Sequence, residues 1–395
     1  MDKTGRLCAG EGEGRSVSES KTFDMLNVSS KFAICGLPLR VDSYKTCTFG
    51  CRYCFANERK IMETSKDFQV GNLGLLKRKV EKVFKKGNVN QTNFLEVLMA
   101  NNITWHCGGM SDPFQPCEKR YGISAGMVDI TKPYGVSILF STKSDTVHDA
   151  AIDPALHTFQ LSVTNTDERM SKVLEPNVPS LDRRREFFKN LKREGFRVGI
   201  RIQPFIPDVT TLDVVKMFSD ADHFSLEGLK MVPQNREQKQ FIIETLGIDE
   251  MKFVQMGLMN LKPELRMQMY RPFIDYFEEH GISYSLADND LHHLGNNLCC
   301  CGDKLCQNST RFNTTAMSHL YGKNYDKSLL YKEIGGVLAN CRCNQLFASN
   351  RQEGNSKTVA EFYDRRFERE SSPFSPKFLY DEDLDAESGQ LTFDF

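Results

Sequence analysis

The chain has 395 residues, with 51 basic and 52 acidic side chains and a formal net charge of -1. This balance excludes binding of nucleic acid or a membrane through a uniformly basic surface, although local basic patches are compatible with it. No stretch approaches the roughly 20 apolar residues of a membrane span, and residues 1–20 lack the apolar segment of a signal peptide. We therefore expect a cytoplasmic protein without a membrane partner, in which the 13 cysteines bind metal or do redox chemistry rather than form disulfides.

The composition divides the chain into four segments. Residues 1–30 are rich in Gly, Ser, Lys and Glu without apolar periodicity, which predicts a flexible N-terminal extension. Residues 31–291 form the main domain, residues 292–350 a Cys-rich segment and residues 351–395 an acidic C-terminal tail.

The main domain alternates β-rich runs with amphipathic helical patterns. This alternation predicts parallel strands joined by right-handed crossovers, hence an α/β fold, either a (β/α) barrel or a doubly wound sheet. In both folds the chemistry lies at the carboxyl ends of the strands. The predicted strands are Leu39–Lys45, Ile103–Cys107, Val136–Ser141, Thr158–Val163, Arg197–Gln203, His223–Leu229 and Ile282–Leu286. The predicted helices are Gly74–Lys86, Ser124–Lys132, Leu181–Glu194, Leu212–Asp220 and Glu264–His280.

Three cysteines follow the first predicted strand at the spacing CxxxCxxC. They are Cys47, Cys51 and Cys54. Three thiolates on one short loop can bind a compact inorganic cluster and leave one iron of a 4Fe-4S cluster open to a small chelating molecule. Structural zinc is the alternative, but zinc sites usually have a fourth ligand nearby and paired CxxC motifs.

This motif, with an aromatic residue directly before its last cysteine, resembles that of the radical SAM superfamily. The resemblance implies a partial (β/α)6-type TIM barrel with a Cys-rich C-terminal extension. It also implies that the three cysteines bind a 4Fe-4S cluster, and that S-adenosylmethionine (SAM) binds the open iron and is cleaved to a 5′-deoxyadenosyl radical. The aromatic residue, Tyr53, would lie near the adenine of SAM.

Further segments at successive strand ends are similar to the spore photoproduct lyase branch of that superfamily. They include Gly108–Pro116, Ser141–Ser144, Glu175–Pro176 and Arg201–Pro204. By this resemblance Gly108 and Gly109 lie against the methionine of SAM, Lys143 pairs with its carboxylate, and Ser111 and Ser162 hydrogen-bond the cofactor.

One position departs from the lyase pattern. The lyase has a cysteine two residues before the serine of its Ser-Asp segment, and that cysteine returns a hydrogen atom to the product radical. Gly109 occupies this position here. Cys107 lies two residues earlier on the same predicted strand face, so we consider it as a shifted hydrogen donor. The departure disfavours repair of thymine dimers and favours a reaction that moves a group.

A second group of cysteines follows the last predicted strand. It could hold an auxiliary iron-sulfur cluster or a zinc ion, and unligated reduced thiols are the remaining alternative. Its members are Cys299, Cys300, Cys301, Cys306, Cys341 and Cys343.

These features lead to several functional hypotheses. The first is a radical SAM enzyme that rearranges (isomerises) a substituent on a modified thymine in DNA, as in viral DNA hypermodification. In that case the partners would be DNA or a modified nucleobase and an electron donor such as flavodoxin or ferredoxin, and a viral protein would act in the host cytoplasm. The alternatives are a radical SAM enzyme on a small molecule or peptide, a photoproduct lyase-type repair enzyme, and a non-catalytic metal-binding nucleic-acid adaptor. Two Lys/Arg-rich predicted helices, Gly74–Lys86 and Leu181–Glu194, could contact DNA, although such runs are usually solvated helix faces.

Overall fold

The computed structural model describes most of the main domain and short pieces beyond it. The described residues are 21–29, 35–56, 68–256, 258–288, 290–297, 299–301, 305–306, 340–342, 356–362 and 365. Residues 1–20 and most of the predicted Cys-rich segment and acidic tail lie outside them.

The strands are short, as is usual for a twisted sheet between helices. They are β1 Lys21–Phe23, β2 Leu26–Val28, β3 Leu39–Val41, β4 Gln69–Gly71, β5 Trp105–Cys107, β6 Ile138–Thr142, β7 His157–Ser162, β8 Val198–Phe205, β9 His223–Gly228, β10 Lys230–Met231, β11 Phe253–Met256, β12 Leu258–Leu261 and β13 Tyr284–Leu286. The α-helices are α1 Leu73–Val80, α2 Phe94–Ala100, α3 Glu118–Tyr121, α4 Ile123–Thr131, α5 Glu168–Leu174, α6 Leu181–Arg193, α7 Asp213–Met217, α8 Arg236–Gln240 and α9 Pro263–Glu279. One π-helical turn, Glu81–Lys85, continues α1, and another, Phe241–Thr245, continues α8.

The main sheet has eight strands in the order β13-β9-β8-β7-β6-β5-β3-β2. All neighbours pair in parallel except β2, which is antiparallel to β3 at one edge. The parallel strands follow one another in chain order without the reversal that defines a doubly wound sheet. The structure thus confirms an α/β fold with a mainly parallel sheet, and each of the seven predicted strands overlaps one of its parallel strands.

The two faces of this sheet differ in chemistry. Apolar side chains such as Trp105, Phe140 and Ile200 alternate along the strands with polar ones and belong to the main core, where residues of α4, α6 and α9 also lie. The other face, which we call the polar face, carries residues that pair across neighbouring strands, including Arg40 opposite His106 and Ser162 opposite Arg201. The strand alternation therefore separates packing on one face from the chemistry available on the other.

Residues 21–29 differ from the predicted flexible extension. They contain β1, which pairs with β4, and β2, which pairs with β3. Met25, Leu26 and Val28 are buried, so this segment closes the edge of the core despite its polar surroundings in the sequence. Strands of three residues are too short to show a period-2 pattern, which explains why the composition alone did not predict them.

A buried ion network fixes the chain after β13. The Arg266 guanidinium of α9 donates to both carboxylate oxygens of Asp290, at 2.8 and 2.5 Å, and lies 3.2 Å from Asp288. Asp288 also accepts hydrogen bonds from the Tyr270 hydroxyl and the Gly228 amide. These contacts determine where the chain enters the Cys-rich segment. None of the helices in the described ranges has both the length and the apolar character needed to cross a bilayer.

Candidate active site

The loop with Cys47, Cys51 and Cys54 follows β3 at the carboxyl edge of the sheet and is held by side-chain amides. The Gln115 side chain accepts a hydrogen bond from the Thr48 amide at 2.7 Å and donates one to the Thr46 carbonyl at 3.0 Å. Gln115 is fully buried. A single glutamine thereby fixes the start of the cysteine loop against the segment that follows β5.

The end of the same loop is held from α5 and α8. The Arg52 amide donates to the Leu174 carbonyl at 2.9 Å, and the Gln238 side chain donates to the Tyr53 carbonyl at 2.7 Å. The Arg52 guanidinium also lies 4.0 Å from the centroid of the Phe241 ring. Because its backbone is anchored at both ends, the loop presents its thiols at defined positions.

The thiols of this loop are close enough to influence one another electrostatically. Burial raises the pKa of Cys47 to about 12, and the neighbouring Asp112 and Cys54 also raise it. Burial likewise raises the pKa of Cys51 well above its ordinary value, with further increases from Glu175, Cys54 and Cys47. Without metal the Cys47 and Cys51 thiols are therefore protonated at neutral pH, and loading of a metal cofactor has to release protons.

These three residues have the donor set that an iron-sulfur cluster requires, since all are thiols on one anchored loop. Within the described ranges, no three His, Cys, Asp or Glu side chains are grouped so as to hold a single metal ion. The fit of the loop to such a cluster therefore rests on its three thiol donors.

A buried carboxylate beside the loop is the centre of a polar network. Glu175, directly after α5, accepts hydrogen bonds from the Lys143 ammonium at 2.8 Å, the Thr164 hydroxyl at 3.2 Å and the Tyr53 hydroxyl. The Arg184 guanidinium lies 3.5 Å from its other oxygen. Burial alone would raise the pKa of Glu175, but the charges of Lys143 and Arg184 outweigh it and lower the pKa to about 2. Glu175 is thus a carboxylate shared by two cations.

The network contains two of the residues expected to bind SAM. The Lys143 ammonium lies 5.6 Å from the centroid of the Tyr53 ring while it pairs with Glu175. The predicted contacts of Lys143 with the SAM carboxylate and of Tyr53 with the adenine stay predictions. The Lys143 ammonium is a cation of the kind that binds a carboxylate ligand.

The segment after β5 approaches the neighbouring backbone closely. Gly108 has φ +98°, and a Cβ atom there would lie 2.1 Å from the Ser141 carbonyl oxygen, so a larger residue does not fit. The buried Ser111 hydroxyl donates to the Tyr44 carbonyl at 2.6 Å, which ties this segment to the start of the cysteine loop. The expected bond from Ser111 to the cofactor stays a prediction, and in the structure its proton is directed to Tyr44.

Asp112 connects this segment to the end of β6. Its carboxylate accepts hydrogen bonds from the Thr142 hydroxyl at 2.7 Å and the Lys143 amide at 2.6 Å. Burial raises the pKa of Asp112 to about 6. Ser162, at the end of β7, contributes its carbonyl oxygen, which accepts a hydrogen bond from Arg184 at 3.0 Å. Its proposed contact with the cofactor is not tested by these bonds.

Cys107 lies on the opposite face of the sheet from the one expected. Its thiol is fully buried in the apolar core and lies 4.0 Å from the Ser43 hydroxyl, which hydrogen-bonds Ser124 of α4. The prediction of a face shared with position 109 was wrong because the two-residue alternation requires continuous extended backbone, and Gly108 with φ +98° interrupts it. Burial also raises the pKa of the Cys107 thiol well above its ordinary value. A catalytic role for Cys107 remains an untested prediction.

The later cysteines separate into two places. Cys299, Cys301 and Cys306 pack with Cys35, Leu37 and Leu139 in a small cluster on the polar face, with Cys300 at its margin. The Cys300 and Cys301 sulfurs are 3.9 Å apart. Cys341 instead belongs to the main core and donates to the Gln91 carbonyl at 3.6 Å, and Cys343 lies outside the described residues. The predicted six-thiol group is therefore not assembled here, and Cys35, which the sequence left without a role, joins four of its members.

Many of the basic side chains on the two Lys/Arg-rich helices have acidic partners. On α6, Arg184 is buried against Glu175, and Lys192 pairs with Asp222 at 2.8 Å. On α1 and its continuation, Lys79 pairs with Asp24, and Lys82 pairs with Glu96 at 2.6 Å. The exposed remainder consists of Lys77, Arg78, Lys85, Lys86, Arg185 and Lys189. These patches are smaller than the sequence indicates.

Comparisons with known proteins give distant relatives. No family model matches the sequence. An uncharacterized protein of Methanocaldococcus jannaschii is 24% identical over 210 residues, which cover 51% of this chain and 74% of that protein. Spore photoproduct lyase complexed with dinucleoside spore photoproduct is 14% identical, with a TM-score of 0.47 over 66% of this chain and 78% of the lyase. Streptococcus suis SuiB bound to S-adenosylmethionine is 13% identical, with a TM-score of 0.42 over 64% of this chain and 50% of SuiB.

The chain resembles radical SAM enzymes. This resemblance rests on the cysteine motif and the strand-end segments of the sequence. In a second structure SuiB is bound to the precursor peptide SuiA.

Sequence reasoning missed the residues that position the site. Gln115 and Gln238 hold the cysteine loop, yet neither belongs to a motif whose spacing indicates such a role. Glu175 was noted as part of a Glu-Pro segment, but its contacts with Lys143 and Tyr53 join residues 32 and 122 positions apart.

Proposed function

We propose that this chain is a radical SAM enzyme in which Cys47, Cys51 and Cys54 bind a 4Fe-4S cluster. The observation that carries the proposal is the three-thiol loop, anchored by Gln115 and Gln238 at the carboxyl edge of parallel strands. When bound and reduced, such a cluster supplies the electron that cleaves SAM to a 5′-deoxyadenosyl radical.

The chain's own residues would hold and orient SAM. Lys143 would exchange its contact with Glu175 for the SAM carboxylate, and Tyr53 would lie beside the adenine. Gly108 and Gly109 would allow close approach of the methionine, with Ser111 and Ser162 as hydrogen-bonding partners. The proposal includes a partial (β/α)6-type barrel over residues 31–291, followed by a Cys-rich segment to residue 350 and an acidic tail.

For the substrate, we propose a modified thymine in DNA on which a substituent is rearranged, in the cytoplasm of the cell or of a viral host. Motif similarity to the lyase branch and glycine at position 109 support this, together with the exposed Lys77, Arg78, Lys85 and Lys86. An electron donor such as flavodoxin or ferredoxin would be required. A small-molecule or peptide substrate is the second candidate, favoured by the small extent of the basic patches.

A second iron-sulfur cluster or zinc ion at Cys299, Cys300, Cys301 and Cys306 is the less supported part of the proposal. Their side chains gather with Cys35 in one buried cluster, which supports a shared function. The described thiols are not grouped around one ion, so metal binding there would require rearrangement.

Metal content tests the proposal directly. We expect the cluster at Cys47, Cys51 and Cys54 to contribute about four iron and four sulfide per chain after anaerobic reconstitution. Cys51→Ala should lose that iron and sulfide. Cys117→Ala is the matched control, because Cys117 lies in the main core and carries no assigned role. Equal iron and sulfide in wild type and Cys51→Ala would overturn the assignment.

A further inference from the structure

Three cationic or titratable side chains line one part of the polar face and leave nitrogen atoms without partners. Arg40 on β3 lies opposite His106 on β5, and Arg201 lies on β8 of the same sheet. Among the described residues, Arg40 Nε, His106 Nδ1 and Arg201 Nε are buried and have no hydrogen-bond partner. Of these atoms Arg40 Nε and Arg201 Nε are N–H donors, and a buried N–H without a partner is costly, so the two indicate a place where a ligand supplies acceptors.

Arg40 occupies a particular position in this group. A Cβ atom at Gly109 would lie 2.1 Å from Arg40 Nη1 and 3.3 Å from its Cζ atom. The Arg40 guanidinium therefore fills the space that a side chain at position 109 would take.

No carboxylate pairs directly with Arg40 in the described part of the chain, although the charge of Asp42 acts on it. None of the ion pairs in the described part of the chain involves Arg40, whereas Arg201 pairs with Glu227 at 3.0 Å. Cys35, Cys300 and Cys301 are among its neighbours, and because the pKa of each is raised they are neutral thiols at pH 7. Asp42 is close enough for its charge to raise the pKa of Arg40, and its carboxylate also accepts a hydrogen bond from the Met110 amide at 3.2 Å. A partly buried guanidinium whose Nε–H has no partner gains a charge-assisted hydrogen bond when an anion binds.

We propose that Arg40 is a specificity-determining residue that binds an anionic group of the substrate, a carboxylate or a phosphate, beside Gly109. This inference rests on the proposed function, in which Lys143 serves the carboxylate of SAM and leaves Arg40 for a second anion. The substrate class is then a molecule whose reacting carbon lies near a negative charge. A guanidinium suits this role because it remains charged and can bind either anion through two parallel hydrogen bonds.

Two pairs of probes separate the sources of the anion. The first pair is 5-carboxy-2′-deoxyuridine and neutral 5-hydroxymethyl-2′-deoxyuridine, and the second is thymidine 5′-monophosphate and thymidine. Binding of each to the reconstituted, SAM-loaded full chain is measured by calorimetry for wild type, Arg40→Gln and Arg40→Lys. Arg185→Gln, on the exposed side of α6, is the control. SAM affinity and iron content are measured for every variant.

We expect at least one anionic probe to bind wild type tenfold or more tightly than its neutral counterpart. Arg40→Gln should abolish that preference, Arg40→Lys should retain part of it, and Arg185→Gln should leave it unchanged. SAM affinity and iron content should not change in Arg40→Gln.

Several results would overturn the inference. Equal binding of charged and neutral probes by wild type would do so even if Arg40→Gln failed to fold. Loss of SAM affinity in Arg40→Gln would assign Arg40 to the cofactor, and loss of iron would assign it to the cysteines. Absence of a cluster or of SAM cleavage in wild type would instead refute the proposed function.

Discussion

The Lys143 ammonium lies 2.8 Å from the Glu175 carboxylate, and both side chains are largely buried beside the cysteine loop. Lys143 is presented from the end of β6, whereas Glu175 follows α5, so the pair joins two crossover units at the carboxyl edge of the sheet. Because Glu175 also binds Tyr53 and Arg184, this one carboxylate organises the proposed SAM site.

Glu175→Gln should destabilise the protein by about 3 kcal/mol, because breaking a buried pair leaves charge without compensation. Lys143 and Arg184 would lose their shared counter-charge, and the free energy of unfolding in urea measures the effect. Glu186→Gln is the control, since Glu186 is largely exposed and its carboxylate comes no closer than 3.9 Å to the Arg193 guanidinium. Equal stability of the two variants would show that Glu175 does not carry the network.

Lys143→Met should weaken SAM binding at least tenfold, the equivalent of about 1.4 kcal/mol, because it removes the cation proposed for the SAM carboxylate. The measurement is calorimetric titration of the reconstituted protein with SAM. Lys189→Met removes an exposed lysine from α6 and should leave the affinity unchanged. Unaltered SAM affinity in Lys143→Met would remove Lys143 from the site.

The lowered pKa of His157 predicts that the free energy of unfolding decreases in acid. This effect does not depend on the proposed cluster. Burial lowers its pKa to about 4, against a smaller opposing effect of Asp153. The unfolded chain therefore takes up a proton near pH 6.5 that the folded chain does not accept until about pH 4. The contribution of His157 to the free energy of unfolding is complete above pH 6.5. It decreases by about 3 kcal/mol as the pH falls from 6.5 to about 4.

His157→Gln tests this pH dependence, since an amide oxygen can replace Nδ1 as acceptor for the Asp153 amide. Urea unfolding of wild type and variant between pH 7.5 and 4.5 should give a shallower pH dependence for the variant. If the free energies of unfolding of wild type and variant change equally with pH, protonation of His157 is not coupled to unfolding.

The exposed lysines beside α1 predict a salt-sensitive affinity for duplex DNA. Lys85→Gln combined with Lys86→Gln should reduce the slope of log affinity against log salt by about 2, since each phosphate contact contributes roughly 0.9. Lys119→Gln, on the exposed side of α3, is the control. No binding to DNA at low salt would favour the small-molecule or peptide substrate.

The fold was predictable where the sequence carries continuous patterns. Strands such as His157–Ser162 and helices such as Leu181–Arg193 have enough residues for their periodicity to show. The strand at Leu26–Val28 does not, and its identity depends on pairing with β3. Local patterns predict elements, whereas short edge strands depend on tertiary contacts.

The sequence predicts the cysteine motif of the site but not the residues that hold the site in position. The spacing of Cys47, Cys51 and Cys54 is visible in the sequence, whereas the contact of Arg40 with position 109 depends on how two strands align. Similarly, Cys35 meets Cys299 only because distant segments pack on one face of the sheet. Long-range packing of this kind leaves no signal in residue spacing.

The most direct test of the central claim is formation of 5′-deoxyadenosine from SAM by the reduced, reconstituted protein. The proposed function predicts that wild type and Cys117→Ala produce it and that Cys51→Ala does not. Comparable 5′-deoxyadenosine formation by Cys51→Ala, or none by a wild-type protein with its full complement of iron and sulfide, would contradict it.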